Sequence, residues 1–254
     1  MKYSIAFFSF TICLFTISFA QPLVSKVYSW DNSKVVVSKI GASRSIFSGS
    51  GSILAKHEIK GITLLKGKIA TYKRDKIERF FIVKNGPLKI SINDSSAILN
   101  RGSVASALPG DRVMIENTGT SDASFYEFQY QSIAPPNEER GKKAGGAFMI
   151  DWNTVTFKPH DRGGVRQFFD RQTTMLNRFD IHVTQLNMGL KSHEPHTHKN
   201  EEIILMLDGN GEMQIGTDHQ KCNPGDVVFL ESMILHNITN IGNTPSLYFA
   251  IQWN

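Results

Sequence analysis

The chain has 254 residues, of which 41% are hydrophobic and 20% charged, with a formal net charge of +5. That length buries a sizeable core and suits either one large β domain or two domains near 110 residues each. The positive charge is spread along the chain with no block of five or six basic residues and no interleaving of aromatic with basic residues, so a nucleic-acid partner is not expected.

Residues 1–20, MKYSIAFFSFTICLFTISFA, read as a signal peptide: Lys2, then an apolar stretch, then Ser18-Phe19-Ala20 before Gln21. Ser and Thr interrupt the run, whereas a retained anchor would want about 20 predominantly apolar residues. Cleavage near Ala20 is therefore expected, with export to the periplasm or the outside and no retained membrane anchor. It would leave 27 basic against 23 acidic residues, and Cys222 as the single thiol, with no internal disulfide to form.

From Gln21 onward the chain reads as β. Segments such as RFFIVKN, LKISI, RVMIEN, SFYEFQY, FDIHVTQL, EIILMLDG and SLYFAIQW are rich in β-branched and aromatic residues, with Gly, Pro, Asn and Asp between them. Many short strands with turn signals argue a sandwich or barrel.

The chain also repeats itself. Trp30 and Trp152 lie 122 positions apart, as do Arg44 and Arg166, and Gly67 and Gly189. RFFIVKNGPLKI lies over EIILMLDGNGEMQI, pairing Gly86 with Gly209. PGDRV (109–113) matches PGDVV (224–228), and NTGTSDASFYEFQY (117–130) lies over NIGNTPSLYFAIQW (240–253). The expected organisation is two copies of one β module, residues 21–134 and 145–254, with a Pro- and Gly-rich charged connector across 135–144. Trp30 and Trp152, and equally Arg44 and Arg166, recur in both copies and suit a shared structural job.

The copies differ where chemistry would sit. Seven of the eight histidines fall in the second copy, and only His57 in the first. With Gly86 on Gly209, Lys73 stands for His196, Asp75 for His198 and Arg79 for Glu202. After the Pro-Gly-Asp turn, Asn117 follows by eight positions in the first copy and Asn240 by sixteen in the second, which suggests a deletion around the region of His236. If HEPHTH were strand, His196, His198 and Glu202 would share a parity and therefore a face. Imidazoles with one carboxylate suit a divalent ion, and His236 could supply a fourth ligand from another strand. The other reading is a solvated polar loop. His193, with odd parity, and His219, in a polar turn, are poorer candidates, while His182 could line a barrel or be a hydrogen-bonded strand histidine.

On these residues the second copy resembles a cupin. The family's first motif is matched by Gly189, LKSHEP, His196, Thr197, His198, KNE, Glu202, IILMLD and Gly209, with a spacer before His196 one residue longer than usual. The second is matched by Pro224, Gly225, Asp226, His236 and Asn240, although ESMILH lacks the Pro and Gly common before the last His. The two-copy layout resembles the bicupins. The resemblance implies an all-β protein of two double-stranded β-helix (jelly-roll) barrels in tandem, the first a degenerate cupin without metal ligands. It implies one divalent ion per chain (Mn, Fe, Zn or Ni) on His196, His198, Glu202 and His236. Such an ion would polarise a carbonyl or carboxylate, or activate water or dioxygen. The expected function is an exported metal-dependent enzyme acting on a small oxygen-rich molecule such as a sugar acid, organic acid or phenol, with its reaction class and acid–base residues undetermined. The alternative is a non-catalytic binding or structural bicupin whose metal organises the pocket. The layout also resembles ureidoglycine aminohydrolases, which use a different ligand pattern. Homo-oligomerisation is left open.

Overall fold

The computed structural model describes residues 21–254; the expected signal segment 1–20 lies outside the described residues. Three expected strands coincide with observed ones, Leu88–Ile92, Phe179–Leu186 and Ser246–Trp253, and the other four fall on strands with slightly different ends. Each half is a jelly roll. The second half has a seven-stranded sheet in the order Lys26–Tyr28, Val227–Leu230, Glu201–Asp208, Ser246–Trp253, Phe179–Leu186, Gly163–Arg171, Phe157–His160. A three-stranded sheet, Asp218–Cys222, Gly211–Ile215 and His236–Asn240, completes the barrel. The first half has the same large sheet and a four-stranded small one, in which Ile69–Tyr72 is the added strand.

Side-chain alternation sorts two cores. In the second half Leu186, Ile204, Met206 and Tyr248 point into the barrel, while Ile181, Val183, Ile203 and Phe249 point towards the other half. A strand buried on both faces reads as a continuous apolar run, which is why IILML shows no alternation. The largest cluster lies between the barrels, joining Phe80, Tyr126 and Phe128 of the first half to Phe229, Phe249 and Trp253 of the second.

The first strand of each half belongs to the other half's sheet. Lys26–Tyr28 pairs with Val227–Leu230, and Phe148–Ile150 pairs with Val104–Ala107. The repeated tryptophans follow these strands across. Trp30 rests on Gly225, where an added Cβ would lie 3.0 Å from its Cγ, and Trp152 rests on Gly102, where it would lie 2.3 Å from Cε3. Both glycines have positive φ, +102° and +80°, so a side chain would meet strain as well as the ring. Arg44 lies over the Trp30 ring at 5.0 Å and Arg166 over Trp152 at 4.8 Å, which gives the repeated arginines a packing role. Buried carboxylates repeat the cross-tie. Glu78 accepts from the Tyr130 hydroxyl and the Met175 N–H, each at 2.9 Å, and Glu201 accepts from Trp253 Nε1 at 3.1 Å and the Ser52 N–H at 2.7 Å. Burial raises the Glu78 carboxyl to about 7, against the lowering effect of its donors.

Two sequence expectations are corrected, and a third is made more specific. The Pro-Gly-Asp match is a false register. Arg79 pairs with Ala107 as Glu202 pairs with Leu230, so Gly102 is the counterpart of Gly225. The turn at Pro109-Gly110-Asp111 then stands opposite Ser232-Met233-Ile234: the Gly110 N–H donates to Asp75 O, and the Met233 N–H to His198 O, each at 2.8 Å. Asn117 and Asn240 are equivalent, donating to the carbonyls of Leu64 and Ser121 and of Leu186 and Thr244. Nothing has been deleted between that turn and Asn117; Val113 occupies the place of His236. Second, His196 and His198 lie in a loop rather than on a strand, tied by the single bridge His196↔His236. Since Tyr72 pairs with Val113, Tyr72, not Lys73, is the counterpart of His196. Third, the connector contains a short helix, Glu138–Lys143, capped by the Asn137 side chain accepting from the Arg140 N–H, with acidic residues in its first turn and basic ones in its last. Among the described residues no helix is long and apolar enough to cross a membrane.

Candidate metal centre

Glu202 lies on the central strand Glu201–Asp208, between Gln252 on one side and Leu230 on the other, and points into the second barrel. His236 opens the strand His236–Asn240 of the opposite sheet. The loop carrying His196 and His198 is held to that strand by reciprocal backbone bonds between His196 and His236, 3.2 and 3.0 Å, and by the Met233 N–H on His198 O. Met233 sits at φ +65°, the left-handed region that Gly110 fills in the first half. The backbone is thus kept in the shape that presents His198 even without the glycine.

The three histidines offer ring nitrogens within 4.8 Å of one another. Glu202 Oε2 lies 3.2 Å from both His198 Nε2 and His236 Nε2. Each of those rings has Nδ1 2.9 Å from a backbone carbonyl, of Asn200 and Ile234 respectively. An Nδ1–H given to a carbonyl leaves the Nε2 lone pair facing inward, the tautomer a metal ligand needs. Gln252 Nε2 donates to Glu202 Oε1 at 3.3 Å, and Asn200 Nδ2 donates to Gln252 Oε1 at 3.3 Å, so the carboxylate is held from behind. His236 Nε2 is buried and has no hydrogen bond of normal geometry. A buried orphan nitrogen beside a buried carboxylate is what a missing cation would satisfy. The donor set fits a divalent ion, since imidazole nitrogens and a carboxylate oxygen suit borderline metals.

Electrostatics point the same way. Burial works to raise the Glu202 carboxyl, but in the absence of an ion the two imidazoles 3.2 Å away, His198 and His236, outweigh it and hold it at about 2. The bond to Glu202 raises His198, while burial and three neighbouring histidines lower His196.

The site floors a cavity of about 300 Å³. His182 and His193 both line it, as do Thr184, Tyr248 and Gln252. Parity could have identified Thr184, Tyr248 and Gln252, which share the inward face with Glu202. The odd parity of His193 has no bearing in a loop, and its ring centroid is 4.1 Å from that of His196. His219 sits outside on a hairpin with Glu212 at 3.2 Å, and His57 is buried between the barrels near Trp253, where burial lowers it to about 3.

In the first half the equivalent floor holds Tyr72, Asp75, Arg79 and Val113. Arg79 donates to both Asp75 oxygens, at 2.8 and 2.6 Å, and lies 3.4 Å from Glu127. A guanidinium occupies the place of the second half's carboxylate and is fully engaged with acids.

Residues 182–252 match the family described as Cupin domain. No curated protein matches the sequence. Several solved structures share the fold at low identity. A Lactobacillus farciminis oxalate decarboxylase in its formate complex is 13% identical with a TM-score of 0.72, over 91% of this chain and 87% of that one. A Bacillus subtilis oxalate decarboxylase, described for its Mn(II) centres, is 14% identical with a TM-score of 0.69, over 91% and 78%. Protein Ylba from E. coli is 15% identical with a TM-score of 0.67, over 93% and 94%.

Proposed function

From the premise that this chain is a cupin of two barrels, we propose that it is an exported metal-dependent enzyme acting on a small oxygen-rich molecule in its C-terminal barrel. The ion is held by His196, His198, Glu202 and His236, one per chain, and manganese is the first metal to try because a neighbour of the same fold is described with Mn(II) centres. The first barrel, residues 21–134, holds none. The observation that carries the reading is the convergence of three imidazoles and a buried carboxylate on one side of an open cavity, with His236 Nε2 buried 3.2 Å from Glu202 Oε2 in no normal hydrogen-bond geometry.

When bound, the ion would polarise an oxygen of the substrate or activate a small oxygen ligand. The chain's own groups do the rest. Gln252 fixes the Glu202 carboxylate, the Asn200 and Ile234 carbonyls fix two ring tautomers, and Thr184, Tyr248 and Gln252 offer hydrogen bonds to a hydroxylated ligand. His182 has Nδ1 3.9 Å from Asp180 and lines the cavity, which makes it the side chain best placed to carry a proton.

The test is metal analysis of the purified protein followed by turnover of sugar acids, organic acids and phenols, with and without dioxygen. One ion per chain with turnover of one class is expected. One ion with no turnover of any class favours a binding role, and no ion removes the reading. Export is tested by the N-terminus of secreted or periplasmic protein, expected at Gln21; an intact Met1 recovered from membranes would overturn it.

A further inference from the structure

The cavity above the proposed metal centre limits what can enter it by charge. Its lining includes no lysine and no arginine, and its single carboxylate is Glu202. Arg162, which holds the ligand loop, gives its guanidinium to the Ser192 carbonyl at 2.9 Å and is not part of the lining. Metal binding requires neutral imidazoles and an ionised carboxylate. A divalent ion with three such imidazoles and Glu202 therefore carries one net positive charge, and the lining adds no lysine, no arginine and no second carboxylate to it. One anionic group is balanced by the ion; a second would meet hydroxyls and the imidazoles of His160, His182 and His193 but no permanent cation, which is unfavourable.

The rest of the lining mixes polar side chains, Thr184, Ser192, Asn237 and Tyr248, with apolar ones such as Leu186 and Ile238. Ser192 Oγ is buried with no hydrogen bond of normal geometry, a second orphan on the same cavity. The cavity, about 300 Å³ and open on one side, lies at the small end of ligand pockets and has room within it for roughly ten water-sized groups at ~30 Å³ each.

We infer that the C-terminal cavity takes a hydroxylated monocarboxylate of about ten non-hydrogen atoms or fewer, and that it discriminates against dicarboxylates and phosphate esters. The inference rests on the proposed metal site and narrows it. It also separates this chain from the structural neighbours whose name specifies oxalate, a dicarboxylate.

Glycerate and tartronate make a matched pair of probes, since both carry a hydroxyl beside a carboxylate and tartronate has a second carboxylate where glycerate has CH₂OH. Calorimetric titration of the Mn(II)-loaded protein at pH 8, with metal content measured before and after, should show glycerate binding at least tenfold tighter than tartronate. Thr184→Arg, which adds the missing cation, should shift the ratio of the two affinities at least tenfold towards tartronate; Ala250→Lys offers the same shift from the neighbouring strand. Equal or tighter binding of tartronate to the unaltered protein, or no binding of glycerate while Mn(II) is retained, overturns the inference and leaves the metal site standing. Failure to hold Mn(II) overturns both.

Discussion

The two barrels present the same four places to the same kind of cavity and fill them with opposite chemistry. In the second, three imidazoles surround a carboxylate; in the first, Tyr72, Asp75 and Val113 surround the guanidinium of Arg79. Asp75 meets Arg79 across the same gap that His198 spans to Glu202, with the charges reversed. The Arg79 hydrogen bond lowers Asp75, while burial raises Glu127 against the opposing pull of that arginine. A cation supplied by the chain, Arg79, stands where the second barrel is proposed to take one from solution. The turn backbone is alike, with Met233 in the conformation of Gly110, while the strand Ile69–Tyr72 stands in place of the histidine loop. The proposed metal site and the ion-paired plug therefore differ in that segment and in four side chains.

The comparison breaks most severely if the halves are independent. A fragment of residues 145–254 lacks Lys26–Tyr28, Trp30 and half of the central cluster, and it should show no cooperative thermal transition by circular dichroism. A folded, metal-loaded fragment would mean that the first barrel is dispensable. Next in size, His198→Ala should weaken metal binding roughly 100-fold or more, taking a four-ligand site as about 10–16 kcal/mol shared among its ligands, as read by competition with a chelator. Arg79→Ala should leave the stoichiometry at one ion. Two ions in the unaltered protein would contradict the contrast between the floors.

The tryptophan seats sharpen the comparison at a smaller scale. Gly102→Ala should destabilise by about 2–4 kcal/mol and Gly225→Ala by about 1–3 kcal/mol in denaturant unfolding, from overpacking and backbone strain. The order follows the closer approach at Gly102, and the reverse order would show that the Trp30 side is the tighter fit. Smallest is the effect of Glu78. Its carboxyl is raised from an ordinary value of 4.5 to about 7 when folded. The protonated form is the one favoured by folding, so its contribution is full below the unfolded value and is lost as pH rises through about 7. The pH dependence of stability should therefore fall by on the order of 1–3 kcal/mol between pH 5 and 8, and Glu78→Gln should flatten it. An unchanged slope in that variant would place the titration elsewhere.

Much of this was legible in the residues. RFFIVKN and EIILMLDG announce central strands because both faces are apolar, and the His-x-His with Glu202 stands out because the first copy lacks it. The Pro-Gly-Asp turn misled because a short turn signal recurs wherever a chain reverses; the reliable markers were Asn117 and Asn240, whose side chains cap the same two carbonyls in each barrel. His193 was missed because parity holds only on a strand. Nor could Lys26–Tyr28 and Phe148–Ile150 be placed: three residues carry too little pattern to specify a partner some 200 residues away in one case and about 40 away in the other.

The exchanged first strands impose an order on assembly. Phe148–Ile150 finds Val104–Ala107 already made when it leaves the ribosome, but Lys26–Tyr28 must wait for Val227–Leu230. The earliest strand to be synthesised is among the last that can be satisfied, and its contact spans nearly the whole chain, the kind of non-local pairing that slows folding. For a chain proposed to cross a membrane before it folds, that delay does no harm: the N-terminal strand stays unpaired until the C-terminal barrel arrives to receive it.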